Sequence, residues 1–492
     1  MSRLRIRLIH LARSSRVALG MFVTLVLGTA AFTLSPRAAN GGGSAPAARV
    51  EPVAVVTQEA AGVTFAGQLS QAKVVQGAPG VVYLDLQITT PAAPATAGIR
   101  ASDLIVVLDR SGSMAVDNRL PYAKEAVRHL LSRLGPEDRF ALVTFDTTAM
   151  LHTDLTPVSD VMREQIVRRV HALQPGSSTN ISEGLLRARA LVQGPASERS
   201  RKVILLSDGE ANTGIVDPKE LGRIAASFAE HRTVLSTIGL GLGFNETLMA
   251  SLADYGMGQY GYLEHLARLG EILAKDMQDT RQVYASASGL EMALGEGVTV
   301  TDAGGYPLDM TSKPGTVRVL TGQLLSGTTR HLVVTMHLPT QHQGTVSLGD
   351  VTLHYDTSAG TRQATLSREQ LRVAVLEPAR RAEAVASVDQ SLFKKLWEQN
   401  NLGRLQKEYS QWLRSGDKTK AEQAISDYRQ AMQAAERATG VPVESPAVSE
   451  QLNHMEKEMQ DAFTGPASVQ QEKRNRAAKS RHDAALKSQR SQ

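Results

Sequence analysis

The residues best equipped for chemistry lie in the string LIVVLDRSGSM, where Asp109, Ser111 and Ser113 alternate directly after an apolar run. One carboxylate and two hydroxyls on a short glycine-containing turn offer three hard oxygen donors. That set suits magnesium, manganese or calcium and does not suit a soft metal. Two residues far downstream extend it. Thr179, in QPGSSTNISEGL, sits at a loop-to-helix junction, and Asp208, in VILLSDGEANTG, follows a second apolar run. If both runs are parallel strands of one sheet, their C-terminal ends open on the edge where such sheets place ligand crevices. The five side chains would then meet around one point. Taken alone, the first string also reads as a turn capped by Asp109 with two loop hydroxyls; Thr179 and Asp208 in register favour the metal reading.

The elements that must position these residues are legible from periodicity. Leu104–Leu108, Phe140–Phe145, Val203–Ser207 and Val234–Leu240 are short apolar runs of the buried-strand kind. Helical patterns cover the stretch from Leu120 to Leu131, Val158–Leu173, Ile181–Val192, Pro218–Glu230 and Leu266–Gln278. This alternation predicts an α/β fold, a doubly wound and mostly parallel sheet covered on both faces, over residues 102–280. Period-two segments flank it at 50–98 and 286–376, which suggests a β-sandwich interrupted by the α/β unit. Residues 377–440 read as a helical hairpin, with Val385, Val388, Leu392 and Leu396 on one face and Trp397 and Trp412 in its core. The polar, basic segment 441–492 reads as disordered or as a frayed helix.

Composition bounds the rest. The 492 residues are 42% hydrophobic and 21% charged, as expected of a chain with several packed cores. Cysteine is absent, which removes disulfides, thiolate metal sites and thiol nucleophiles. The net charge of +5 is concentrated in Arg3–Arg16 and Lys473–Arg490, so no basic face for nucleic acid is implied. The arginines precede the apolar stretch Val17–Leu34, and together they have the grammar of an export signal or a single N-terminal membrane anchor within residues 1–39. Small residues at 28–31 would serve a cleavage site, and 40–49 (NGGGSAPAA and its neighbours) reads as a linker. An exported location, in the periplasm or cell envelope, is expected.

The D-x-S-x-S string after a strand, Thr179 before Asn180, and the Ser-Asp-Gly at 207–209 resemble the metal-ion-dependent adhesion site of the von Willebrand factor type A domain. With its flanks, the sequence is similar to bacterial exported proteins of the inter-alpha-trypsin inhibitor heavy chain and calcium-activated chloride channel-like kind. The resemblance implies that Asp109, Ser111, Ser113 and Thr179 hold a divalent cation directly or through one water. Asp208 would act mostly through water, and a partner's Asp or Glu carboxylate would complete the coordination. Magnesium is the first expectation, manganese or calcium the alternatives. Two departures stand out: Ser177-Ser178 where relatives often have two glycines, and Arg110, which must turn away if its charge is not to weaken cation binding.

No HExxH, GxxxxGK[ST] or GxSxG motif is present, and His129, His171 and His265 have no metal-ligand spacing. The glycines at 239, 241 and 243 follow a strand but lack dinucleotide spacing. A binding module is therefore expected and not an enzyme. Its alternatives are a structural envelope protein whose metal only stabilises the fold, and a metal-dependent hydrolase.

Overall fold

The computed structural model describes residues 55–92, 101–193, 199–241, 244–263, 282–285, 287–310, 313–357 and 359–490. The N-terminal apolar stretch, the linker, the helical pattern at 266–278 and glycine 243 lie outside them. No described helix is long and apolar enough to cross a membrane.

The central strand, Ser102–Asp109, is buried at every position. It pairs in parallel with Arg139–Phe145 on one side and Ser200–Ser207 on the other. Thr233–Leu240 and then Met257–Leu263 continue the parallel order, and Ala149–Pro157 closes the opposite edge antiparallel. Alternate side chains separate two cores. Leu104, Val106 and Leu108 pack under the helices Arg119–Arg133 and Asp160–Ala172. Ile105 and Val107 pack under Ile181–Val192, Pro218–Ala226 and Glu246–Tyr255. The chain leaves the central strand in one direction and returns on its other side, which makes the C-terminal end of that strand the topological switch point. Asp109 is its last residue.

The two edge strands are absent from the sequence reading for a physical reason. Ala149–Pro157 is partly to fully exposed along its length and Met257–Leu263 is glycine-rich, so neither carries an apolar run.

The flanking strands form a two-sheet unit. In one sheet Val81–Thr89, before the α/β unit, pairs antiparallel with Thr329–His337, after it. The facing sheet is built around Ala287–Leu294 and Gly349–Thr357, and the inner faces share one core that includes Phe65, Leu84, Leu86, Leu353 and Tyr355. The α/β unit is thus an insertion between strands that are neighbours in space.

Two expectations for the C-terminal region are corrected. The stripe through Val385 and Val388 is not one helix: Arg381–Ala386 ends, Val388 bridges to Gln71, and Asp389 caps a new helix at Gln390–Ser415 by accepting from the Leu392 amide. After the returning helix Lys418–Thr439, residues 441–490 are largely helical rather than disordered, with helices at Pro446–Ala462 and Ala467–Gln489. The last helix buries small alanines (Ala477, Ala478, Ala485) beside Lys479 and Arg481. No strong apolar stripe marks it, because its charged heads find partners on other elements. Arg481 meets Glu458 at 2.7 Å, and Arg490 meets both oxygens of Asp254 at 2.6 and 2.7 Å.

Candidate metal centre

At the switch point three loops are stitched into one cluster. The Gly112 amide donates to the Ser177 carbonyl at 2.7 Å, and the Gly176 amide to the Arg110 carbonyl at 2.5 Å. Thr179 is tied to the third loop: its amide donates to Asn212 Oδ1 at 2.8 Å, and its carbonyl accepts from the Asn212 and Thr213 amides. Gly176 is required where it stands, since a Cβ there would lie 2.1 Å from Asp146 Oδ2. Gly209, at φ +68°, turns the chain directly after Asp208.

Within this cluster Asp109, Ser111, Thr179 and Asp208 are buried, and Ser113 is partly exposed. Asp109 Oδ1 accepts from the Ser111 amide at 2.8 Å and Oδ2 from the Ser207 hydroxyl at 2.6 Å. The Ser111 and Ser113 hydroxyls are 3.1 Å apart. Burial pushes Asp109 up to about 7, the negative charge of Asp208 adding to it against the hydrogen bonds of Ser111 and Ser207. A buried carboxylate this costly to ionise calls for a positive charge beside it.

Arg110 does turn away from the cluster: its guanidinium pairs with Asp146 at 2.6 Å and reaches the Gln174 carbonyl at 3.3 Å. The residue that sequence reasoning missed is Arg119, whose Nη1 donates to Asp208 Oδ2 at 2.8 Å and lies 3.4 Å from the Ser113 carbonyl. Nothing in its spacing marks it, because it opens a helix rather than belonging to a strand-end string. Ser207, Asn212 and Asp146 were also missed as contributors; Ser207 and Asn212 both stand inside the string around Asp208, and Asp146 stands just after the apolar run Phe140–Phe145.

Among the described residues no three Asp, Glu or His side chains gather as a metal site. An ion at the switch point would therefore rest on hydroxyls as much as on carboxylates. The donor set fits a hard divalent cation: two carboxylates, three hydroxyl-bearing residues and no soft atom. Such an ion would supply a positive centre that attracts a further hard oxygen.

A parallel sheet wound on both faces, with these residues at its switch point, defines the class: the chain carries a von Willebrand factor type A domain, and residues 104–210 match that family. The chain is 31% identical over 180 residues to the uncharacterized protein YfbK of Escherichia coli K12, covering 36% of this chain and 31% of that one. It is 26% identical over 186 residues to inter-alpha-trypsin inhibitor heavy chain H3 of Mesocricetus auratus, covering 36% of this chain and 21% of the relative. The chain thus spans less than a third of either protein. Among solved structures, a von Willebrand factor type A protein from Catenulispora acidiphila superposes with a TM-score of 0.58 at 18% identity, over 82% of this chain and 91% of that one. The ArnB paralog VWA2 from Sulfolobus acidocaldarius gives 0.51 at 17% identity, over 87% and 98%. At these identities the likeness is one of fold.

Proposed function

We propose that this is an exported cell-envelope protein that captures a protein partner through a divalent cation, magnesium first, held by Asp109, Ser111, Ser113, Thr179 and Asp208. The β unit and the C-terminal helices serve as its scaffold. The observation that carries this reading is the charge balance. Asp109 and Asp208 bring two negative charges into the buried centre, Arg119 neutralises one of them while also meeting the solvent-exposed Asp117 at 3.3 Å, and Arg110 is already spent on Asp146. A divalent ion would leave the centre with one positive charge in excess. That excess is complementary to an Asp or Glu carboxylate of a partner, and the surrounding surface would supply specificity.

The alternative, an ion that only staples the loops, has less to do here. Backbone hydrogen bonds between 112 and 177, 176 and 110, and 212 and 179 already tie the loops together. Hydrolysis finds little support, since among the described residues no histidine is hydrogen-bonded into the cluster as a general base. Export rests on the basic and apolar N-terminal sequence.

Crosslinked capture from an envelope fraction tests the proposal. Full-length protein in magnesium should retain a partner that EDTA and Ser111→Ala both release, with the melting temperature nearly unchanged. Capture that survives both treatments, with a lowered melting temperature, would establish the stapling role instead.

A further inference from the structure

The helix that opens at Arg119 breaks several local rules at its start. Asp117 and Asn118, neither of them glycine, both take left-handed backbone, at φ +53° and +56°. Such conformations cost free energy in a residue with a side chain and persist where the surroundings impose them. Asn118 occupies the position that precedes the helix, yet its side chain makes no capping hydrogen bond. The first turn holds no acidic residue, and Arg119 sets a positive charge where the helix dipole favours a negative one.

What this costly start achieves is the placement of one guanidinium. Arg119 is 7% exposed and Asp208 is fully buried. Nη1 of Arg119 donates to Asp208 Oδ2 at 2.8 Å and Nη2 to the exposed Asp117 at 3.3 Å, while Nε is buried with no hydrogen-bond partner. Room for the side chain comes from Gly241, where a Cβ would lie 2.7 Å from Nε and 3.0 Å from Cγ. A guanidinium with an unpaired nitrogen is held by the charge of Asp208 rather than by a complete set of hydrogen bonds. Arg110, next to Asp109 in the chain, is meanwhile turned away to Asp146. The fold thus removes one arginine from the centre and brings in another.

We infer that Arg119 is a built-in counter-charge that sets how tightly the centre holds its cation. It stabilises Asp208 in the ion-free protein and repels the ion that enters. This rests on the metal reading proposed above and adds to it the residue that tunes ion affinity. Repulsion between a guanidinium and a divalent ion sharing one buried carboxylate is strong, and lowers the affinity by about tenfold or more. The same charge leaves the loaded centre positive toward a partner's carboxylate.

The test is magnesium titrated calorimetrically into full-length wild type, Arg119→Gln and Arg119→Lys at pH 8, with melting temperatures in EDTA and in excess magnesium. Arg119→Gln should bind magnesium about tenfold or more tightly than wild type, and Arg119→Lys, which keeps the charge, should stay within about threefold of wild type. In EDTA, Arg119→Gln should melt below wild type, because Asp109 and Asp208 then face each other without a counter-charge; excess magnesium should remove that deficit. If Arg119→Gln is unfolded in EDTA, magnesium should fold it. Unchanged or weaker magnesium binding by Arg119→Gln, or a melting deficit that magnesium leaves in place, would make Arg119 a structural prop and overturn the inference. Equal tightening in Arg119→Lys would overturn it too, since shape and not charge would then be the cause. Absence of magnesium uptake by wild type and both variants would instead overturn the metal reading beneath it.

Discussion

Asp109 is held near 7 by burial and by Asp208, against about 3.9 for a free aspartate. The sign of its pH dependence follows. The unfolded chain releases this proton near pH 4 and the folded, ion-free chain near pH 7. In between the folded state holds the extra proton, so its stability declines as pH rises through that window. A divalent ion must displace the same proton. Its apparent affinity should therefore fall about tenfold per unit below pH 7, and the rise in melting temperature that excess magnesium gives should be larger at pH 8 than at pH 5. Differential scanning calorimetry at both pH values checks this; an equal rise at the two would contradict it. Ser111→Ala removes one hydroxyl and should weaken magnesium binding by about 10- to 100-fold, read by calorimetric titration. The motif residues were legible because Asp109, Ser111, Ser113 and Asp208 come directly after apolar runs and Thr179 stands where a loop meets a helical pattern. Arg119 was not, because a guanidinium six residues beyond the motif has no local signature and acquires its role only through the tertiary position of its helix.

At the scale of elements, the parallel sheet and its helices could be read from runs and periodicity, while the edge strands and the division at Val388 could not. Exposure removes the apolar pattern from an edge strand, and a cap such as Asp389 outweighs a continuing stripe. The loops of the centre depend on close approach. Gly176→Ala would drive a methyl into Asp146 and should lower cation affinity although every proposed ligand is retained; titration of the variant with magnesium reads it. The opposite end of the central strand is fixed by charge. Asp103 is fully buried, and its carboxyl is lowered because hydrogen bonds from Arg139 and Arg199 outweigh the burial that would raise it. Asp103→Ala should cost about 3 kcal/mol by leaving those guanidiniums facing a void, seen as a lower urea midpoint. Because the folded value lies below the unfolded one, the stabilisation by Asp103 is present above about pH 4 and is lost as pH falls through the folded value.

Across the whole molecule, the C-terminal helix reaches back to the α/β unit. Lys479 donates to the Gly241 carbonyl and stands 4.0 Å over the Phe244 ring, and Arg490 clasps Asp254. From the neighbouring long helix, Arg414 bonds Glu246 and the Phe244 carbonyl. These contacts lie on the segment after Thr233–Leu240 whose Asn245 amide donates to the Asp208 carbonyl at 2.8 Å, next to the centre. Composition alone makes this region look solvated, since its binding groups are charges rather than apolar side chains. Arg490→Ala should raise amide hydrogen exchange across 467–490 by about a hundredfold and leave the central strand protected, in line with about 3 kcal/mol for a broken buried pair.

Partner capture as proposed requires one ion at the end of the central strand. Isothermal titration of the full chain with magnesium at pH 8 tests it most directly. A single saturable site per chain, abolished by Asp109→Ala in a variant that still melts cooperatively, is the predicted result. No heat of binding for magnesium, manganese or calcium, or uptake that Asp109→Ala leaves intact, would contradict it.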